Sequence, residues 1–179
     1  MMARALPITV EQYHALSVQG LIAENTELLE GVIIEKMSKP PLHSSLLVKL
    51  LRGLQIVAGD RFIVRPEQPI TCGRSEPEPD LALVASVPDD YLAGHPRTAE
   101  IVIEIAVSSV GIDRRKTAIY AEAGVRECWL VLPETRQIEV HTKLTQSRYA
   151  VQRFFAEGQT AFSEVLPAFR VELAALFPR

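Results

Sequence analysis

The sequence has few of the features that mark membrane, secreted or disulfide-stabilised proteins. No apolar run approaches the ~20 residues of a membrane-spanning helix, and residues 1–14 lack the long apolar segment of a signal peptide. The two cysteines, Cys72 and Cys128, lie far apart in apolar segments. That arrangement suits neither a disulfide framework nor a zinc site, so we expect two reduced core thiols in a cytoplasmic protein.

Charge and composition exclude further classes. The net charge is −3 and the isoelectric point about 5.8, so the chain is not expected to coat nucleic acid as a strongly basic domain does, although a local basic patch is compatible with this balance. Neither GxxxxGK[ST] nor GxGxxG occurs, which predicts that no nucleotide cofactor is used. With 179 residues, 47% of them hydrophobic, the chain is predicted to form a single globular domain over 1–179.

Helical and strand-like hydrophobic periods alternate along the chain. Thr9 and Gln12 form a predicted capping box at the start of a first helix. Gly31 separates two predicted strands, at 26–30 and 32–36, as a hairpin turn or a bulge. The remaining predicted elements are helices over about 40–58 and 113–123, strands near 61–65, 68–72, 80–84, 100–107, 128–132, 138–142 and 149–155, and a short turn or helix after 166. This order predicts an α/β fold, with a mixed sheet and helices on both of its faces.

One acidic residue, Glu104, interrupts an otherwise apolar strand. The nearly continuous Ile, Val and Ala pattern at 101–107 predicts burial on both faces, where a carboxylate is costly unless it is paired, protonated or bound to a metal. A second acid, Asp80, begins another strand after the Pro-rich segment 73–79. Two carboxylates that converge from neighbouring strands at one end of a sheet would make a site for a hard divalent cation such as Mg²⁺.

The third predicted helix carries polar side chains on one face. Asp113, Lys116 and Tyr120 lie at positions i, i+3 and i+7. The connection from Glu104 to this helix is short, so Lys116 could return to the carboxylates. A lysine there can orient an attacking water and stabilise developing negative charge. Paired acids, a metal and a lysine together describe metal-assisted hydrolysis of a phosphodiester.

Five short motifs occur in a fixed order and cover nearly the whole chain. They are ELLEG at 27–31, PPLH at 40–43, EPD at 78–80, IVIEI at 101–105 and KTAIYAEAGVRECWLV at 116–131. The part of the last motif at 120–131 is the most specific. Together the motifs resemble a large bacterial family of putative endonucleases of unknown biological role. That family belongs to the PD-(D/E)xK, restriction-endonuclease-like superfamily.

The resemblance implies a fold, a metal and a catalytic lysine. The fold would be a restriction-endonuclease-like mixed β-sheet flanked by helices, with Mg²⁺ or Mn²⁺ held by Asp80 and Glu104. The catalytic lysine would be Lys116, displaced from strand to helix, because the usual superfamily position two residues after the glutamate is Ala106 here. DNA would be the substrate, and the protein is expected to be a homodimer.

The resemblance also implies supporting residues. Glu27 matches the early glutamate of the family and is a candidate third acid in the catalytic set, while Glu30 competes for that role three positions on. Tyr120, Asp113 and His43 are expected around the site rather than as metal ligands.

The same residues have simpler interpretations. Glu104 and Lys116 could form a structural ion pair, and the Asp80 carboxylate could belong to a Pro-Asp turn. A polar residue in the first helical turn, as His43 is, more often caps the helix or faces solvent. Arginines at 114 and 115 could face phosphates or form a solvated helix face.

Three functions are therefore compared. The first is a Mg²⁺-dependent endonuclease acting on DNA. The second is a catalytically degenerate module of the same fold that binds nucleic acid or protein, for which Ala106 and the acidic balance argue. The third, a hydrolase of small phosphoesters, ranks last because the sequence has no recognisable phosphate-binding loop.

Overall fold

The computed structural model describes residues 6–85, 91–107 and 109–177. Its helices are α1 (Val10–Val18), α2 (Pro41–Ala58), α3 (Val110–Glu122) and α4 (Leu173–Leu176), with a 3₁₀ turn at Gly59–Arg61. Its strands are β1 (Thr26–Leu29), β2 (Val32–Glu35), β3 (Phe62–Pro66), β4 (Leu81–Ala85), β5 (Ile101–Ile105), β6 (Glu127–Leu132), β7 (Gln137–Thr145), β8 (Arg148–Phe155), β9 (Thr160–Phe162) and β10 (Arg170–Glu172). None of the helices in these ranges is long and apolar enough to cross a membrane.

A six-stranded mixed sheet, in the order β3-β4-β5-β6-β7-β8, organises the molecule. Neighbouring strands are antiparallel except β5 and β6, which are parallel and are connected through α3. A parallel pair requires such a crossover, and the helix in it must cover one face of the sheet. The leucines of α2 pack on the other face. The predicted α/β fold with helices on both faces is confirmed.

Strand β5 lies at the centre of the sheet, and its five residues are all buried. Alternate side chains of a strand point to opposite faces. Ile101 and Ile103 pack in the core beneath α2, whereas Val102 packs with residues of α3. Glu104 shares the α3 face, where it contacts Lys116 and Tyr120. The prediction of burial on both faces is confirmed, and the carboxylate is directed toward α3.

The β1–β2 hairpin turns through Glu30 and Gly31, since Leu29 pairs with Val32. Both turn residues have positive φ, +52° and +81°, as a two-residue type I′ turn requires. The structure therefore has a hairpin rather than a bulge at this point. Backbone hydrogen bonds between Leu28 and Glu76 in both directions attach β1 to the Pro-rich segment that precedes β4.

The predicted strand at 68–72 is wrong. Residues 67–80 instead form an irregular hairpin, in which the amide of Glu67 donates to the carbonyl of Asp80 at 3.0 Å and the amide of Ile70 donates to Pro77 at 3.0 Å. Three prolines in this segment lack the backbone N–H that a regular ladder requires, and they are Pro69, Pro77 and Pro79. This hairpin fixes Asp80 at the start of β4.

Two other differences from the predicted elements are local. Helix α3 begins at Val110 rather than near 113. The tail forms the short antiparallel sheet of β9 and β10, which was not predicted, before the predicted terminal helix. Neither difference moves the residues of the candidate site.

Replacing Gly31 by alanine should destabilise the fold through a steric clash. A Cβ at this position would lie 2.4 Å from Cβ of Pro7 and 2.9 Å from the carbonyl oxygen of Ile8. We expect Gly31→Ala to lower the free energy of unfolding by about 2–4 kcal/mol, the combined cost of a left-handed backbone and overpacking. Urea denaturation measures this loss.

Gly158 is a matched control for the backbone contribution. Its φ is +84°, and a Cβ there would meet nothing within 4 Å. Gly158→Ala should therefore cost only the left-handed contribution of about 1–2 kcal/mol. Equal losses for the two variants would contradict the clash at Gly31.

Both cysteines should be unreactive in the folded protein. Cys72 and Cys128 are free and buried, and burial raises the pKa of Cys72 to about 12 and raises that of Cys128 as well. The thiolate is the reactive form. We therefore expect that Ellman's reagent does not label the folded protein at about pH 8. Two thiols should titrate once the chain is unfolded in guanidinium chloride. Rapid labelling of the native protein would contradict this prediction.

Candidate active site

Asp80 and Glu104 meet at one end of the sheet because their strands are antiparallel neighbours. Leu81 pairs with Ile103, so the start of β4 lies beside the end of β5. Asp80 is 5% exposed and Glu104 is 3% exposed. The two carboxylates line a pocket of about 80 Å³, whose walls are completed by residues 36–40 before α2 and by α3.

The carboxylate of Asp80 is held by three different elements. Its Oδ2 accepts a hydrogen bond from the amide of Ile105 at 2.7 Å. Its Oδ1 lies 2.9 Å from Nε2 of His43 and 3.1 Å from Nζ of Lys39. Burial acts to raise the pKa of Asp80, but the contacts with His43, Lys39 and the Ile105 amide hold it below its ordinary value. Asp80 is therefore ionised near neutral pH.

Glu104 is in a different electrostatic state. One oxygen, Oε1, accepts from Tyr120 Oη at 2.5 Å and from Lys116 Nζ at 3.2 Å. Burial, aided by the neighbouring carboxylates, raises the pKa of Glu104 well above its ordinary value against the opposing effect of Lys116. The site thus contains an anion, Asp80, beside a carboxyl group whose negative charge is costly without a further cation.

Lys116 contacts three acids from three elements. Its Nζ lies 2.9 Å from Oε2 of Glu27, 3.2 Å from Oε1 of Glu104 and 3.9 Å from Oδ1 of Asp113. Burial acts to lower the pKa of Lys116, but these carboxylates raise it above its ordinary value. The side chain is therefore a permanent cation, suited to stabilising negative charge and unsuited to accepting a proton.

The remaining predicted residues surround this centre. The other oxygen of Asp113 accepts a hydrogen bond from Ser109 Oγ at the start of α3. Tyr120 is fully buried, and burial together with Glu104 raises the pKa of its phenol, so it donates to Glu104 rather than acting as a nucleophile. His43 is 5% exposed and faces Asp80. Its first-turn position had favoured a cap or surface role, and that interpretation is wrong.

The structure distinguishes Glu27 from Glu30 as the third acid near Lys116. Glu27 is 4% exposed, and its Oε2 accepts from the amide of Glu78 at 3.1 Å as well as contacting Lys116. Glu30 lies at the turn of the same hairpin, half-exposed, and pairs with Arg115 at 3.0 Å. The early acid that joins the cluster is therefore Glu27.

A family model described as Uma2, putative restriction endonuclease, matches residues 10–175 of the chain. The chain belongs to the Uma2 family. Its fold is similar to that of a putative nuclease belonging to DUF820 from Anabaena variabilis, with a TM-score of 0.77 over 96% of this chain and 98% of that one. The two sequences are 18% identical, so this likeness shows a shared fold. No curated protein matches the chain.

The surroundings of Ala106 in this Uma2 chain disfavour a lysine at that position. Ala106 lies two residues after Glu104 and is buried in a small apolar cluster with Leu130 and Leu132. A lysine at this position would have to bury its charge among these leucines. The cation that reaches Glu104 comes from α3 instead, as Lys116.

Sequence reasoning missed Lys39, which contacts both Asp80 and Glu67. A single lysine between a strand and a helix carries no pattern that would single it out. Its role depends on the fold, which brings residues 36–40 beside the start of β4.

Several basic surface residues that could face phosphates have partners within the protein. Arg114 pairs with the buried Glu139 at 2.5 Å, and Arg126 pairs with Glu100 at 2.6 Å. Lys49 donates to two backbone carbonyls at the end of α4. These contacts favour the structural interpretation of these residues.

Replacing Glu104 by glutamine should change how stability depends on pH. The folded protein holds the proton of Glu104 more tightly than the unfolded chain does, because burial raises its pKa. The wild-type free energy of unfolding therefore loses up to about 1.4 kcal/mol per pH unit from this group. The loss begins near pH 4.5 and ends at the raised folded pKa.

Glu104→Gln lacks this titration, so the stability difference between variant and wild type should move in favour of the variant as the pH rises through that window. Thermal unfolding at a series of pH values, with chelator present, measures the difference. A difference that does not vary with pH would contradict the prediction.

Proposed function

We propose that this chain is a Mg²⁺- or Mn²⁺-dependent endonuclease that hydrolyses phosphodiester bonds in DNA. The observation that carries the proposal is the burial of Asp80 and Glu104 side by side, with the ammonium of Lys116 3.2 Å from Glu104. Membership of a restriction-endonuclease-like family and the shared nuclease-like fold support the same reaction class.

The side chains present fit a divalent cation. Among the described residues, four buried carboxylates, Glu27, Asp80, Glu104 and Asp113, contact the two ammonium groups of Lys39 and Lys116 and the imidazole of His43. In the described ranges, no three His, Cys, Asp or Glu side chains form a complete metal cage. Mg²⁺ needs no such cage, because it binds through one or two carboxylates and keeps several waters. Asp80 and Glu104 would hold it.

A bound cation would supply Lewis acidity and a water of lowered pKa. The protein groups have separate tasks around it. Lys116 stabilises the negative charge that develops on the phosphate during water attack. Tyr120 orients Glu104, while His43 and the Ile105 amide orient Asp80. Glu27 keeps Lys116 in place.

The cleavage assay is the direct test of this function. Plasmid and linear DNA would be incubated with Mg²⁺ or Mn²⁺ and, separately, with chelator. Asp80→Asn, Glu104→Gln and Lys116→Met should each lower the cleavage rate by at least about 10²- to 10³-fold, the range for losing one group that stabilises the charge of the transition state. Circular dichroism verifies that each variant is folded.

Glu30→Gln is the matched control, because Glu30 lies in the same hairpin as Glu27 and contacts Arg115 rather than the site. This variant should cleave at the wild-type rate. Undiminished cleavage by Glu104→Gln would rule out the assignment.

A second candidate is a non-catalytic binding module. Lys116 and Lys39 already contact the buried acids, so the cluster could serve as a structural ion-pair network. This candidate predicts DNA binding that persists in chelator, with no metal-dependent cleavage in any condition. A gel-shift titration beside the cleavage assay separates the two functions.

The homodimer remains a prediction, which sedimentation equilibrium would test.

A further inference from the structure

Lys39 has a position that the reaction proposed above does not use. It lies in the segment 36–40, which connects β2 to α2 without regular secondary structure. Its Nζ is 3.1 Å from Oδ1 of Asp80 and 2.5 Å from Oε1 of Glu67. A cationic group of the protein thus contacts the same Asp80 oxygen that a divalent cation would need.

The two lysines of the site differ in burial. The Lys39 side chain is 34% exposed, whereas that of Lys116 is 6% exposed. Glu67, the other partner of Lys39, is 41% exposed. Lys39 therefore occupies the solvent side of the pocket, and Lys116 occupies the interior.

Among the groups that contact Asp80, Lys39 is the one best able to leave. The Ile105 amide is fixed in β5, and His43 is buried in α2. Lys39 has a long flexible side chain on an irregular segment, and Glu67 offers it a second carboxylate outside the pocket. A divalent cation on Asp80 would repel an ammonium about 3–4 Å away, so the two cannot comfortably share the carboxylate.

We propose that Lys39 neutralises Asp80 when no metal is bound and contacts a backbone phosphate of DNA when a divalent cation takes its place. This inference rests on the proposed function and deepens it by naming a substrate-binding residue. Because Lys39 stands at the solvent side of the pocket, its ammonium is within reach of a phosphate that approaches Asp80. Lysine is a frequent ligand of phosphate in proteins.

Lys36 provides a matched control in the same segment. Its Nζ lies 2.6 Å from Oε1 of Glu78, and its side chain is 21% exposed. Replacing Lys36 by glutamine removes the same charge from the same wall of the pocket. It leaves the contacts of Asp80 intact.

Cation binding tests the first half of the inference. Calorimetric titration with Mg²⁺ and Ca²⁺ would compare the wild type, Lys39→Gln and Lys36→Gln. Loss of the competing ammonium should tighten cation binding by Lys39→Gln about fivefold, and Lys36→Gln should change it much less. Equal or weaker cation binding by Lys39→Gln than by the control would overturn the inference.

DNA binding tests the second half. Fluorescence anisotropy with a labelled duplex, in Ca²⁺ in place of Mg²⁺, gives the affinity over a range of salt concentrations. Lys39→Gln should bind more weakly, and its plot of log affinity against log salt should be shallower by about 0.9, the value for one lost phosphate contact. Lys39→Arg keeps the charge and should restore the wild-type slope. An unchanged slope in Lys39→Gln would overturn the phosphate contact.

The wild-type measurements separate this inference from the proposed function. Wild-type protein that binds neither cation nor DNA would overturn both. Wild-type binding of cation and DNA, with Lys39→Gln indistinguishable from the wild type, would overturn only the role of Lys39.

Discussion

The contacts of one buried ammonium connect the parts of this protein. Lys116 on α3 reaches Glu104 in the preceding central strand β5 and Glu27 in the β1–β2 hairpin, so a hairpin distant in sequence meets β5 and α3 at one charge. Removing this cation would leave buried carboxylates unpaired, which typically costs about 3–5 kcal/mol. The position of the hairpin against the sheet, and with it the shape of the pocket, depends on this interaction.

The burial of these carboxylates costs stability, although the proposed function requires them. Glu104 sits where burial raises its pKa, whereas the contacts of Asp80 keep its pKa low. A fold optimised for stability alone would replace such a cluster with apolar side chains of similar volume. The cluster of buried carboxylates, which Lys116 and Lys39 partly neutralise, is the feature on which the proposed metal chemistry rests.

Local patterns in the sequence predicted many of the helices and strands. The near-continuous apolar pattern of β5 identified the central strand, and helical spacing identified α2 and α3, because both signals follow from burial of neighbouring residues in the chain. Glu104 was recognisable as a site residue because an acid is anomalous in such a strand. The segment 68–72 was predicted wrongly because its apolar residues suggested a strand, while the prolines around it prevent a regular ladder.

The sequence by itself determined the chemistry of the candidate site: paired acids, a lysine on one helix face, and a core able to bury them. The tertiary structure decided which residues join that site. Glu27 rather than Glu30 enters the cluster, and its carboxylate meets the Glu78 amide across 51 positions. Lys39 meets Asp80 across 41 positions. No periodicity in the chain encodes such contacts, because they form only when strand register and crossover bring separate segments to the same end of the sheet.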